Sequence, residues 1–186
     1  MATAAAIGCL MLIYLVDAYR SAEVARDRAS RDDWREMHPD DGPDPADLPA
    51  RSQFAGTTDP IGFLEGRWRA ERRLTDLETG AEGEFVGVAE FARDGTWTET
   101  GRLRFGAYDG EARRTLRLVD GAVEFEDGRP FHPLDLRTGA CAVEHLCGED
   151  RYAGEYRVVG PDELQVDWYV VGPRKRQLIE TVYRRA

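Results

Sequence analysis

From Ile61 onward apolar and polar residues alternate with a period of two, interrupted at regular intervals by Gly, Asp and Pro. That is the pattern of antiparallel strands with one buried face. It predicts a short lead helix over 60–64 and about nine strands, near 66–74, 83–92, 96–105, 112–119, 121–127, 141–147, 151–159, 163–171 and 176–184. Turns are expected at Glu78-Thr79-Gly80, Asp94-Gly95, Asp109-Gly110, Asp120-Gly121, Gly160-Pro161-Asp162 and Gly172-Pro173-Arg174-Lys175, because Gly, Asp and Pro fit the backbone angles of tight reversals. About nine to ten short strands in succession imply an all-β fold, a single up-and-down antiparallel β-barrel whose closure removes exposed edges.

The alternation also assigns faces. Trp68, Ala70, Arg72 and Leu74 share one face, as do Trp97, Glu99, Gly101, Leu103 and Phe105. Cys141, Val143, His145 and Cys147 form another set, Tyr152, Gly154, Tyr156 and Val158 a fourth, and Leu164, Val166, Trp168 and Val170 a fifth. Their apolar members point these faces inward, which carries Arg72, Glu99, Asp127 and His145 toward the interior. Charged groups there need partners, since an unpaired buried charge is strongly destabilising.

The first 60 residues follow no such period. Residues 1–37 are expected to form a helix, apolar from Ala2 to Val16 and charged afterwards, with Asp27 and Arg31 spaced for an i,i+4 pair. Fifteen helical residues span about 22 Å, less than the hydrocarbon core of a bilayer. No Lys or Arg precedes Arg20, which disfavours a secretory signal. Two readings stay open for residues 2–19: an extension or misassigned start without a membrane role, and a short anchor. In the second case the following arginines would hold the main domain at the cytoplasmic face. Residues 38–60 (HPDDGPDPADLPA and its flank) are expected to be a disordered acidic linker, too poor in apolar area to offset chain entropy. The barrel domain is assigned to residues 61–186.

The chain has 186 residues and a formal net charge of -10. Such a balance opposes nucleic-acid backbones, and no basic stripe offsets it. Cys141 and Cys147 lie on one expected strand, roughly 20 Å apart at strand rise, so they do not suit a disulfide. Free thiols fit a cytoplasmic setting.

Candidate chemistry gathers between Asp127 and Lys175, which contains His132, His145, Cys141, Cys147 and the only lysine. His145 and Cys147 share a strand face and are both zinc-ligand types, but a site needs His132, Asp127 or Asp150 to converge with them. His145 could also ligate haem. No metal or cofactor is predicted, because a histidine hydrogen-bonded to a buried carboxylate accounts for the same pattern. Asp127-Gly128-Arg129 reads first as a turn, with Arg129 forked onto a carboxylate such as Glu99. The alternative places Arg129 and Lys175 at the barrel mouth, gripping an anionic group.

The motifs Gly66-x-Trp68-x-x-x-Arg72, Glu99-x-Gly101, Phe125-x-Asp127-Gly128-Arg129-x-Phe131-His132, His145-x-Cys147-x-x-Asp150-x-Tyr152 and Trp168-x-Val170-x-Gly172-Pro173-Arg174-Lys175 together resemble an uncharacterised family of lipocalin-like, or calycin-like, barrel domains. The resemblance covers about residues 61–185. It implies a domain of unknown function, found alone in bacteria and appended to flavin-dependent oxidoreductases in some eukaryotes. Two departures stand out: Thr115 and Arg117 where family members often carry aromatics, and Arg176 and Gln177 where an acidic and an aromatic residue are usual.

The expected function is noncatalytic binding of a small, partly apolar and anionic molecule. Ligand contacts are assigned to Arg129, His132, His145, Lys175, Tyr152, Trp97 and Trp168, with Phe105 and Tyr156 as further apolar wall. Arg72, Glu99, Asp127 and Cys147 form the supporting polar cluster. Two alternatives stand beside it: an enzyme, hydrolase or isomerase, using His132 or His145 as general base, and an accessory module that docks on an oxidoreductase or membrane partner.

Overall fold

The computed structural model describes residues 56–186. The expected helix over 1–37, the apolar segment 2–19 and most of the expected linker lie outside the described residues. The last linker positions take part in the fold, since the Thr57 N–H donates to Leu136 O at 2.9 Å.

One short helix, α1 (Pro60–Leu64), leads into ten strands: β1 (Gly66–Asp76), β2 (Glu82–Phe91), β3 (Thr96–Phe105), β4 (Tyr108–Val119), β5 (Ala122–Phe125), β6 (Pro130–Pro133), β7 (Ala140–Cys147), β8 (Asp150–Gly160), β9 (Glu163–Gly172) and β10 (Lys175–Arg185). Their order is β6-β5-β4-β3-β2-β1-β10-β9-β8-β7, with every pair antiparallel. The sheet curls into a nearly closed barrel in which β6 and β7, consecutive in the chain, meet without a backbone ladder.

The alternation read from the sequence determines the interior. Trp68, Ala70, Arg72 and Leu74 are buried on β1, Leu164, Val166, Trp168 and Val170 on β9, and Trp97, Glu99 and Leu103 on β3. Outside, charges alternate in sign across five strands in the row Glu180, Arg73, Glu84, Arg104 and Asp109. Opposite charges facing each other across strands stabilise a sheet by a few tenths of a kcal/mol or more per pair, ~0.2–1.

Helix α1 sits at one end of the barrel. Asp59 caps it by accepting the Gly62 N–H at 2.8 Å, Pro60 stands at its start, and Leu64 is buried. The Trp68 indole donates to Leu64 O at 2.7 Å. Arg185 lies 4.3 Å over the Trp68 ring and donates to Phe63 O and Glu65 O. At the opposite end, called here the far end, stand the β1–β2, β3–β4, β5–β6, β7–β8 and β9–β10 turns.

Three expectations are corrected. The β3–β4 reversal falls at Gly106 and Ala107, where Phe105 pairs with Tyr108, and not at Asp109-Gly110; Asp109 instead lies on the outer face, 2.6 Å from Arg102. Strand β6 was not expected, because four residues bounded by Pro130 and Pro133 carry no readable period. Strand β5 ends at Phe125, so the inward parity does not reach Asp127, which is exposed on the turn. The Asp120-Gly121 reversal is as expected, and both residues take positive φ, 48° and 79°, as a two-residue hairpin requires.

Candidate functional site

The up-and-down topology brings the three motif segments Asp127–Arg129, His145–Tyr152 and Gly172–Lys175 to the far end of the barrel. There Lys175, buried, donates to Asp150 at 2.6 Å and to the Tyr152 hydroxyl at 3.2 Å, with its ammonium 5.4 Å over the Tyr152 ring. The Asp150 carboxylate occupies the space over Gly172: a Cβ there would lie 1.8 Å from Asp150 Oδ1. A glycine at this position is therefore what allows the ion pair to form. Gln177, the next inward residue of β10, is also buried.

Deeper in the barrel, toward α1, an ionic cluster spans four strands. Arg72 donates to Glu99 at 3.0 Å and to Thr181 at 2.7 Å. Arg114 donates to Glu99 at 2.6 Å, and the Tyr183 hydroxyl donates to the same carboxylate at 2.5 Å. Glu99 and Arg114 face each other in the β3–β4 register. Burial alone would raise the Glu99 pKa, but the charges of Arg114 and Arg72 and the hydrogen bonds from Arg114 and Tyr183 outweigh it and lower the value to about 2. Glu99 therefore stays ionised. Burial pushes the Tyr183 and Tyr156 hydroxyls well above the ordinary tyrosine range, with the neighbouring tyrosine or Glu99 adding to the shift, so both remain neutral.

His132 lies between these two levels, next to the β6–β7 seam. Its Nδ1 is 2.9 Å from Pro133 O and its Nε2 3.0 Å from the Tyr156 hydroxyl. A carbonyl can only accept, so Nδ1 carries the proton and Nε2 accepts from Tyr156. Burial, with smaller contributions from His145 and Arg114, lowers the His132 pKa to about 4 against the opposing pull of the Pro133 carbonyl. The ring is neutral near pH 7.

His145 closes the seam itself. From β7 its Nδ1 donates to Phe131 O on β6 at 3.0 Å, and Phe125 and Phe131 pack edge-on against its ring. The Asp135 N–H completes the closure by donating to Cys141 Sγ at 3.3 Å. Cys141 and Cys147 are free thiols, and Cys147 packs at the edge of the core. Trp168 stacks on Phe131 at 5.4 Å and covers Gly154. Trp97 lies against Phe91 and Tyr183, with the Arg114 guanidinium 5.2 Å from its ring centre.

Arg129 does not reach Glu99. It is exposed, bonds Asp127 at 2.8 Å and lies over Phe125 at the rim of the seam. Glu99 is instead shared by Arg72 and Arg114. The supporting cluster is thus Arg72, Glu99, Arg114, Thr181 and Tyr183, without Asp127 or Cys147. Sequence reasoning passed over Arg114, Thr181, Tyr183 and Gln177, although Arg114 has the parity of Leu116 and Leu118, and the other three share the inward parity of Ile179.

Among the described residues no three His, Cys, Asp or Glu side chains gather to hold a metal ion, and no helix is long and apolar enough to cross a membrane. A hollow of about 750 Å³ lies on the outer wall over β10, β1, β2 and β3, lined by Glu71, Arg73, Glu84, Val86, Arg104 and Glu180 among others. Within it Arg104 pairs with Glu84 at 2.9 Å.

Fold and interior together define a ten-stranded antiparallel barrel whose largely apolar core encloses a few buried polar groups. The chain belongs to the family of unknown function DUF6314, whose model matches residues 64–185, in keeping with the resemblance read from its motifs. No curated protein matches it. Similar solved structures include an S-type phycobiliprotein lyase from Guillardia theta, 8% identical, covering 68% of this chain and 90% of the lyase, with a TM-score of 0.47. A DUF3598 protein of unknown function from Nostoc punctiforme is 14% identical over 72% of this chain and 51% of its own, with a TM-score of 0.49. A de novo designed fluorescence-activating β-barrel is 14% identical over 70% of this chain and 100% of its own, with a TM-score of 0.36.

Proposed function

We propose that the domain is a noncatalytic barrel that takes up one small, partly apolar molecule in its interior. The observation that carries this reading is the buried polar load: Arg72, Glu99, His132, Lys175, Gln177 and Thr181 are all buried inside the barrel. A wall that only had to pack would gain by apolar residues of similar volume, because buried ion pairs rarely outdo them in stability. An eight-stranded barrel can be wide enough to hold one small ligand, and barrel diameter grows with strand number. In this reading Lys175, Tyr152 and His145 meet the ligand near the far end, Trp168 and Trp97 form apolar wall, and the Arg72–Glu99–Arg114 cluster lies deepest. Arg129, held by Asp127, stands at the rim.

The engagement of His132 supports binding over catalysis. Its Nδ1 donates to Pro133 and its Nε2 already accepts from Tyr156, so neither nitrogen is left to take a substrate proton.

Titration of the full chain with the neutral, environment-sensitive dye Nile red tests the proposal. Saturable one-to-one uptake is expected. Ala112→Trp, which sends a large ring inward from β4, should abolish it with the sheet signature in circular dichroism kept, and Val86→Glu, on the outer wall, should leave it intact. Uptake lost in Val86→Glu and retained in a folded Ala112→Trp would place the dye outside and overturn the reading.

A further inference from the structure

Among the described residues, the Trp97 indole Nε1 and the Gln177 amide Nε2 are buried donors for which the structure shows no hydrogen-bond acceptor. Both residues are 2% exposed, so bulk water does not supply the missing acceptor. A buried N–H left this way destabilises the fold that holds it, and folded proteins keep few of them. The indole N–H can only donate.

Both side chains belong to the inward faces of their strands, and cations accompany both. Trp97 lies toward α1, in contact with Tyr183 and beneath the Arg114 guanidinium. Gln177 is the inward neighbour of Lys175 on β10. Between Gln177 and Tyr183 the strand rises roughly 20 Å. At the deeper level the guanidiniums of Arg72 and Arg114 converge on one carboxylate, Glu99, while burial holds the Tyr156 and Tyr183 hydroxyls neutral. Between the two levels the wall is apolar apart from His132, with Phe131, Val166, Trp168 and Ile179 buried.

We infer that the ligand is an apolar acid, a molecule whose carboxylate accepts the Trp97 indole N–H beside Arg114 and whose body runs along the apolar wall toward Gln177. This rests on the ligand-binding reading above and adds the chemical class of the ligand. The two donors are then groups whose acceptors the ligand supplies on binding. Gln177 marks a second acceptor position, available to a ligand that carries an oxygen toward its other end.

The test uses calorimetric titration of the full chain with decanoate, decanol and decylamine, together with Nile red uptake and the indole N–H resonances of 15N-labelled protein. Decanoate is expected to bind at least ten-fold more tightly than the alcohol or the amine, and to move the Trp97 indole proton downfield. Gln177→Met, which removes a donor at nearly constant volume, should raise the melting temperature of the empty protein by a few degrees. Decanol binding as tightly as decanoate, or a Trp97 indole signal that stays still under saturating decanoate, would overturn the inference. If Nile red is taken up without any preference for the acid, the chemical class fails and the binding reading stands. If no probe is taken up, both fail.

Discussion

Glu99 and His132 are both buried and take opposite routes to a stable charge state. Glu99 is 0% exposed and keeps its charge because two guanidiniums and a hydroxyl point at it. Its folded pKa of about 2 lies below the ordinary 4.5, so its stabilising contribution is complete above pH 4.5 and is lost as the pH falls toward 2. His132 gives up its charge instead. Its folded pKa of about 4 lies below the ordinary 6.5, so between those values the unfolded chain binds a proton that the folded chain refuses. Stability therefore falls as the pH drops from 6.5 to 4. Relative to a His132→Gln variant, the protein should lose about 2 kcal/mol more on going from pH 7 to pH 5, measured by urea unfolding at both values. Equal losses in the two proteins would contradict a buried neutral His132. The neutral state was not legible in the sequence, because it depends on the burial of the ring beneath Phe131, Tyr156 and Trp168, which only the fold brings together.

At the scale of elements, the weak point of the wall is the seam between β6 and β7. Neighbouring strands elsewhere share ladders, whereas this pair is held by His145 reaching Phe131 O and by Cys141 accepting from Asp135. His145→Ala removes the first link and leaves every ladder untouched. Amide exchange at Phe131 and His132 should then quicken about ten-fold or more, the order expected from losing one hydrogen bond of roughly 1.4 kcal/mol, with β1 and β2 unchanged. Unaltered exchange in β6 would show that the seam does not depend on His145. Long strands were readable in the sequence for a physical reason: over ten residues a period of two accumulates enough repeats to register, as in β3 and β9. Strand β6, with four residues between prolines, has too few. The parity argument worked for Arg72, Glu99 and His145 because each sits within a paired strand, and failed for Asp127 because β5 had already ended.

At the scale of the molecule, the barrel separates two kinds of charge. Outside, Glu180, Arg73, Glu84, Arg104 and Asp109 alternate in sign and neutralise one another across the strands. Inside, the polar groups stand in levels: Lys175 with Asp150 toward the far end, Arg72 and Arg114 on Glu99 toward α1. Which inward residues belong together was only half visible in the sequence. Parity gives the face, but register decides the neighbour, and only the β3–β4 register places Arg114 opposite Glu99. The central claim is that this interior holds a small molecule. Native mass spectrometry of the full chain, purified without denaturation and measured before and after organic extraction, tests it most directly. The account predicts one bound molecule per chain, released into the organic phase and rebound on return. Bare protein mass before extraction, with nothing taken back from that extract, would contradict it.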